Sequence, residues 1–323
     1  MDIVAVDIGG THARFALAEV ADGQVVHLGE ALTMRTAEHA SLRTAWQAFG
    51  EHLGHRLPTA AGVAVACPVD QPSLKLTNNP WTIRPASIAE DLAVDRFVLI
   101  NDFGAVGHAL AHLEAAQIEH VCGPDRPLPA HGVVSVIGPG TGLGVAYAVR
   151  GAGKPLVCET EGGHVDFAPL DPIEDAIAQS LRQRHRRVSI ERLVSGPGLS
   201  AIYEALATIE KRPLRYVTDQ AVWAAAIEGV DALAAAALER FCLIFGAVAG
   251  DIALAQGARA VVLAGALARR LAPILGDFGF PGRFVAKGRF ERMMADMPVK
   301  LITHSQPGLL GAAGAFAADA RAG

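Results

Sequence analysis

Twice in this chain a run of strand-forming residues enters a glycine-rich turn that carries a threonine, and leaves it as another strand. The first case runs from Met1-Asp2-Ile3-Val4-Ala5-Val6 through Asp7-Ile8-Gly9-Gly10-Thr11 into Ala13 to Glu19. The second runs from Val133 to Ile137, through Gly138-Pro139-Gly140-Thr141-Gly142-Leu143-Gly144, into Val145 to Val149. Short apolar runs bounded by turn residues read as buried strands. Glycine in such turns permits positive φ and lets backbone N–H groups approach a ligand with no Cβ in the way. Alone, the first turn is either an ordinary glycine hairpin or a phosphate cradle, with Asp7 facing a cation and Thr11 adding a hydroxyl. The second turn favours the cradle, because two such units could hold one polyphosphate from two sides. Neither fits the Walker A pattern, since no Lys-Ser or Lys-Thr follows, and neither opens a helix as a dinucleotide fingerprint requires.

A length of 323 residues suggests two domains or one large one, with ample core. Hydrophobic residues are 51% and charged residues 19%, a globular balance. The net charge of −5 gives no general attraction to nucleic acid or to an anionic membrane. Cys67, Cys122, Cys158 and Cys242 are scattered with no Cys-x-x-Cys, so neither a zinc site nor a disulfide framework is expected, and a reducing cytoplasm is. Asp2 stands where a signal peptide carries Lys or Arg. No apolar run is expected to reach the roughly 18 residues of a membrane span. The longest, Phe241 to Gly250, is bracketed by Arg240 and Asp251, and Gly246 and Gly250 within it suggest close packing of two buried helices.

In order, the pattern predicts a third meander strand, Val25 to Leu32, across a turn at Asp22-Gly23, and a helix from Ser41 to Leu53. A strand over Ala61 to Ala66 stops at Cys67-Pro68. A short strand enters the polar loop Thr77 to Trp81, and Ser87-Ile88-Ala89-Glu90 reads as a capping box. A buried strand, Phe97 to Ile100, ends at Asn101-Asp102 before a helix to about Leu113. The second half is more helical, with helices over Pro172 to His185, Gly198 to Ala207, Asp219 to Ile227 and Ala232 to Ala255. Strands Ala260 to Ala264 and Val299 to Thr303 and a last helix from Pro307 complete it. A hinge of helices with a cleft between the halves is expected. The run Arg182, Arg184, Arg186, Arg187 reads as a solvated helix end.

Asp102, at a strand end, is either a general base or the N-cap of the helix that follows. Glu161-Gly162-Gly163-His164 can bring its Glu and His to one side of a tight turn. It is no His-Glu-x-x-His site, and the pair suits the hydroxyls of a sugar-like ligand better than a metal. Glu191 is a third polar candidate or a surface salt bridge.

Together these stretches resemble a known family. They are Asp7 to Thr11 with Arg14, Ala66-Cys67-Pro68, Leu76-Thr77-Asn78 with Trp81, Ile100 to Phe103, Gly138 to Gly144, Glu161 to Phe167, Glu191 to Gly198, and Pro307 to Gly311. Spread over essentially the whole chain, they are similar to the bacterial ATP-dependent glucokinases of the hexokinase–actin superfamily. The zinc-binding cysteine cluster of the repressor–kinase branch is absent. The resemblance implies an α/β, two-domain actin-like ATPase (ribonuclease-H-like) fold, with a cleft between a small α/β domain, 1–112 plus 304–323, and a larger α+β domain, 113–303. It implies transfer of the ATP γ-phosphoryl group to D-glucose. Glucose contacts would come from Asn78, Asn101, Asp102, Glu161, His164 and Glu191, with Asp102 as the base. Nucleotide contacts would come from Val6, Asp7, Ile8, Gly9, Gly10, Thr11, Arg14, Gly138, Gly140, Thr141, Gly142, Gly265 and Ala266. Asp7 would act near Mg²⁺ through water, and a cytoplasmic homodimer is implied, with no nucleic acid or membrane partner. Two departures stand out: His12 where asparagine is usual, and Gly265-Ala266 where the adenosine turn usually has two glycines. Ala266 is expected in ordinary backbone at the first turn of a helix, with Gly265 taking any special conformation. A kinase for another hexose and a non-catalytic sugar sensor are the alternatives. Asp102 argues against the sensor, and the lack of a helix-turn-helix ahead of the first strand argues against a repressor.

Overall fold

The structure, a computed structural model, describes residues 1–319. Two compact units emerge. One comprises Met1–Gln117, Gly151–Glu159 and the chain from His304 onward; the other comprises Ile118–Arg150 and Thr160–Thr303.

In the first unit β1 (Asp2–Ile8) turns through Gly9 to Thr11 into β2 (His12–Ala21), which turns through Asp22-Gly23 into β3 (Gln24–Leu28). Asp22 and Gly23 have φ of 51° and 73°, the two positive values of a type I′ hairpin turn. The expected strand over Val25 to Leu32 is in fact two. β3 pairs with the far end of β2, whereas β4 (Leu32–Arg35) pairs with its first four residues. At ten residues β2 is long enough to offer one edge to both. Next come α1 (Leu42–Leu53), opened by a Ser41–Thr44 capping box, β5 (Ala60–Val65), the small hairpin β6 (Leu74–Lys75) and β7 (Thr82–Ile83), and α2 (Ile88–Leu92). Ser87 forms no capping bond, because a 3₁₀ turn over Pro85–Ser87 already holds it in helical backbone. β8 (Arg96–Asn101) then feeds α3 (Asp102–Ala109). β8 is half-buried along its length, not buried as expected, since it is the edge strand in the order β3-β2-β1-β5-β8.

Side-chain alternation along β1 sorts its residues between two of this unit's apolar clusters. Val4, Val6 and Ile8 pack with Trp46, Phe49 and Trp81, while Ile3 and Ala5 pack with Leu309, Ala313 and Phe316 of the helix Pro307–Ala318. Asp7 shares the parity of Ile3 and Ala5, so it faces that C-terminal helix.

The second unit contains β9 (Ile118–Cys122), β10 (Gly132–Pro139), β11 (Leu143–Arg150), the last residue of β12 (Leu156–Thr160), β13 (Ala258–Leu263) and β14 (Val299–Ile302). Its strands run β11-β10-β13-β14-β9. β10 and β11 form an antiparallel pair around the second glycine turn, and β13 and β14 add in parallel. The first unit builds the same pattern, with β1 and β2 antiparallel and β5 and β8 parallel to β1. The helices are α4 (Pro172–Arg182), α5 (Gly196–Ile209), α6 (Asp219–Glu228), α7 (Ala232–Gln256), α8 (Ala266–Leu275), α9 (Phe280–Val285) and α10 (Glu291–Ala295); Pro307–Ala318 is α11. α7 runs for 25 residues and is long and apolar enough to cross a membrane, contrary to expectation, but its apolar window is two-thirds buried inside the protein. Its Arg240 reaches Asp171 and Glu174, and its Asp251 pairs with Lys287 at 2.7 Å. Gly246 and Gly250 do pack closely, against the backbone of Phe280 and Phe284 in α9.

Candidate active site

In the first unit, antiparallel register places Arg14 opposite Asp7, and the guanidinium lies 3.2 Å from the carboxylate. The backbone of Gly308, in the first turn of α11, lies against the same carboxylate. Burial pushes the Asp7 carboxyl up from its ordinary value, and Arg14 offsets this only in part. The adjoining glycine turn is not built on positive φ: neither Gly9 nor Gly10 adopts it. Close approach is the reason for Gly10, where a Cβ would sit 2.5 Å from the Thr77 carbonyl oxygen. Gly9 N–H is used inside the hairpin, donating to His12 O at 2.9 Å. Among the described residues the N–H groups of Gly10 and Thr11 meet no protein acceptor, so they can serve an anion. The Thr11 hydroxyl lies 2.9 Å from His12 Nδ1. The unusual His12 therefore holds the threonine.

The cap at the start of α3 is Asn101, not Asp102. Asn101 Oδ1 accepts the N–H groups of Phe103 and Gly104. Its amide also donates to Cys67 O at 3.3 Å, which leaves one amide hydrogen for a ligand. Asp102 is therefore not the cap but the first residue of the helix, and its Oδ1 shares only the Phe103 N–H, at 3.0 Å. Burial pushes its carboxyl up to about 7, Asp7 and Glu159 add to the rise, and the N–H of Phe103 opposes it. A carboxylate tuned this way is a base matched to neutral pH. Val6 and Ile8 prove to be core residues facing α1, with no side-chain path to a ligand. Asn78 is exposed in left-handed backbone, φ 60°, beside Gly10.

In the second unit, Glu161 precedes a 3₁₀ turn over Gly162–His164, and Glu161 Oε2 and His164 Nε2 come within 3.8 Å. Both side chains are more than half exposed, hence free to meet a ligand. Gly163 is required because a Cβ would lie 2.2 Å from the Leu143 carbonyl oxygen. Leu143 N–H in turn donates to Glu191 Oε2 at 2.9 Å. Among the described residues Glu191 forms no ion pair; it ties the glycine turn of Gly138 to Gly144 to its own 3₁₀ turn, Ile190–Arg192. Within the glycine turn Gly140 donates to Gly142 O and accepts from Gly196 N–H, and among the described residues Thr141 and Gly142 N–H have no acceptor. Gly265 has φ 93° and Ala266 is the first residue of α8, the division of roles expected from the sequence. Arg187 lies past α4, donates to the His164 carbonyl at 2.5 Å and pairs with Asp166, so this part of the basic run braces the Glu161–His164 turn.

A family model described as Glucokinase matches residues 4–319. The chain belongs to the glucokinase family. It is 60% identical over 317 residues to the glucokinase of Zymomonas mobilis, covering 98% of each chain, and 38% identical to that of Caulobacter vibrioides, covering 98% of this chain and 95% of the other. Among solved structures it is similar to a glucokinase from an Antarctic psychrotroph, with a TM-score of 0.84 and 31% identity over 97% of this chain and 98% of that one. Its architecture is the actin-like ATPase fold of these sugar kinases. In this glucokinase-family chain, sequence reasoning missed Asn79, which donates to Gly9 O at 2.9 Å and accepts from Trp81 N–H, and so fixes the loop of Asn78. Nothing local separates Asn79 from Asn78. Glu159 was missed as well, because its partner lies 58 residues away.

Proposed function

We propose that this protein transfers the γ-phosphoryl group of ATP to the 6-hydroxyl of D-glucose. The observation that carries the reading is Asp102, a buried carboxylate relieved of capping by Asn101 and poised near neutral pH. The sugar oxygen attacks the γ-phosphorus, the bond to the leaving ADP oxygen breaks, and the hydroxyl proton passes to the Asp102 carboxylate. Asn78, Asn101, Glu161, His164 and Glu191 contact the other hydroxyls. The N–H groups of Gly10, Thr11, Thr141 and Gly142 take the phosphates, and Gly265-Ala266 lies by the adenosine. Positioning and charge stabilisation account for most of phosphoryl transfer.

Mg²⁺ fits Asp7. The carboxylate is buried and only partly neutralised by Arg14, so a nearby cation would stabilise its charged form. Mg²⁺ keeps several waters and uses few carboxylates with phosphate oxygens, so one acidic group suffices. When bound, the ion would neutralise charge on the phosphates. The family resemblance supports homodimeric assembly and a cytoplasmic location as part of this reading, and the net charge of −5 gives no general attraction to nucleic acid or an anionic membrane.

A coupled ATP assay over a panel of sugars tests the reading. Sites that bond hydroxyls reject analogues lacking them, because their own polar groups are left unpaired. Glucose should exceed 2-deoxyglucose, fructose and N-acetylglucosamine in kcat/KM. Preference for one of these would make the protein a kinase for another hexose; binding without turnover would make it a sensor.

A further inference from the structure

We propose that Glu159 is a positioning residue for Asn101 and Asp102, holding the point at which β8 becomes α3. Glu159 Oε1 accepts the Asn101 N–H at 2.9 Å. Asn101 ends an edge strand, so an acceptor for its N–H has to come from outside the sheet. Asn101 is then held by Glu159 at its backbone, and at its side chain by the cap bonds to Phe103 and Gly104 and by the Cys67 carbonyl. Asp102 follows directly and takes its direction from that junction.

The neighbouring residue is shaped to admit this carboxylate. A Cβ at Gly104 would lie 2.1 Å from Glu159 Oε1 and 2.6 Å from its Cγ. Glycine is a poor helix former, yet it occupies the third position of α3, where any side chain would displace Glu159. The carboxylate also lies near the first turn of α3, where negative charge is favoured. Two residues after Glu159 the chain reaches Glu161, so one short segment carries both a sugar contact and the group that orients the base. The role assigned to Glu159 runs through Asn101, whose N–H it accepts.

The inference rests on the reading of Asp102 as base and Asn101 as a glucose contact. Full-length Glu159→Ala and Glu159→Gln are compared with wild type for glucose Kd by calorimetry without nucleotide, for kcat, for both KM values and for Tm. A hydrogen bond to a charged group is worth about tenfold or more in an equilibrium, so Glu159→Ala should lose about tenfold in kcat/KM for glucose. Its KM for ATP should stay near wild type. Glutamine still offers an oxygen to the Asn101 N–H, so Glu159→Gln should recover most of the loss. The inference is overturned if Glu159→Ala stays near wild type towards glucose. It is equally overturned if glutamine rescues nothing, or if glucose and ATP constants worsen together with Tm, as general loosening would produce. Failure of the underlying reading looks different: Asp102→Ala would keep turnover, while the effect of Glu159→Ala on glucose Kd would still report the placement of Asn101. A wild type that favours another hexose would be read with that sugar.

Discussion

At the scale of single residues, the decisive event is the exchange of roles between Asn101 and Asp102. Either could cap α3; the amide takes the cap, and the carboxylate is left for chemistry. Asp102→Ala should therefore bind glucose within a few-fold of wild type yet turn over about 10²–10⁴-fold more slowly, the usual contribution of a general base. Turnover near wild type would return Asp102 to a structural role. The pH dependence follows from a carboxyl pushed up to about 7 from 3.8. The base works only when deprotonated, so kcat/KM for glucose should rise with pH through about 7. Stability moves the other way. The folded state holds this proton more tightly than the unfolded chain, so stability contributed by the group is full below pH 3.8 and is lost as pH rises towards about 7. Asp102→Asn should therefore melt higher than wild type at pH 8, with the gap closing as the pH falls towards 4. A constant gap across that range would contradict the assignment.

Among the elements, the start of α8 is the most open to test. Gly265 carries φ 93°, while Ala266 sits in the first helical turn, where alanine is well tolerated. Gly265→Ala forces a side chain into an almost glycine-only backbone region, φ 93° and ψ 164°, that costs other residues about 1–3 kcal/mol, and should raise the KM for ATP about tenfold. Ala266→Gly should change it only a few-fold. Steady-state measurements at saturating glucose and Mg²⁺ decide this; a large gain in ATP affinity from Ala266→Gly would show that the alanine impairs the nucleotide side and open the question of another phosphoryl donor.

Across the whole molecule, each unit has its own core and its own tryptophan reporters. Trp46 and Trp81 belong to the first, and Trp223 to the second, where it stacks edge-on with Phe241. Next to Phe241, Arg240 joins Arg283 in pairing with Asp171 and Glu174, and Glu174 is fully buried. Removing one partner of a buried pair costs about 3–5 kcal/mol when a charge is left uncompensated; Arg283 remains here, so Arg240→Met should fall at or below the lower end. The Trp223 signal should melt earlier, and the signal of Trp46 and Trp81 should follow with little change. A shift confined to Trp46 and Trp81 would refute the placement of this network in the second unit's stability.

The sequence by itself determined most of the strands, the two glycine turns and most of the helices, because apolar period, proline and glycine act over a few neighbouring residues; β7, β9 and β12 were not read from it. The β1 strand, the helix up to Leu53 and the Gly265-Ala266 division were all legible in this way. Interactions between distant segments were not. The division of Val25 to Leu32 into two strands depended on the length of β2, and the half-exposure of β8 on its place at a sheet edge. The need for glycine at 10 and 163 came from carbonyl groups of Thr77 and Leu143, not from positive φ. Likewise, only tertiary structure could give Glu191 the Leu143 N–H and Asn101 the carboxylate of Glu159, since a side chain's partner is set by which backbones meet, and that is decided over separations of 48 and 58 residues.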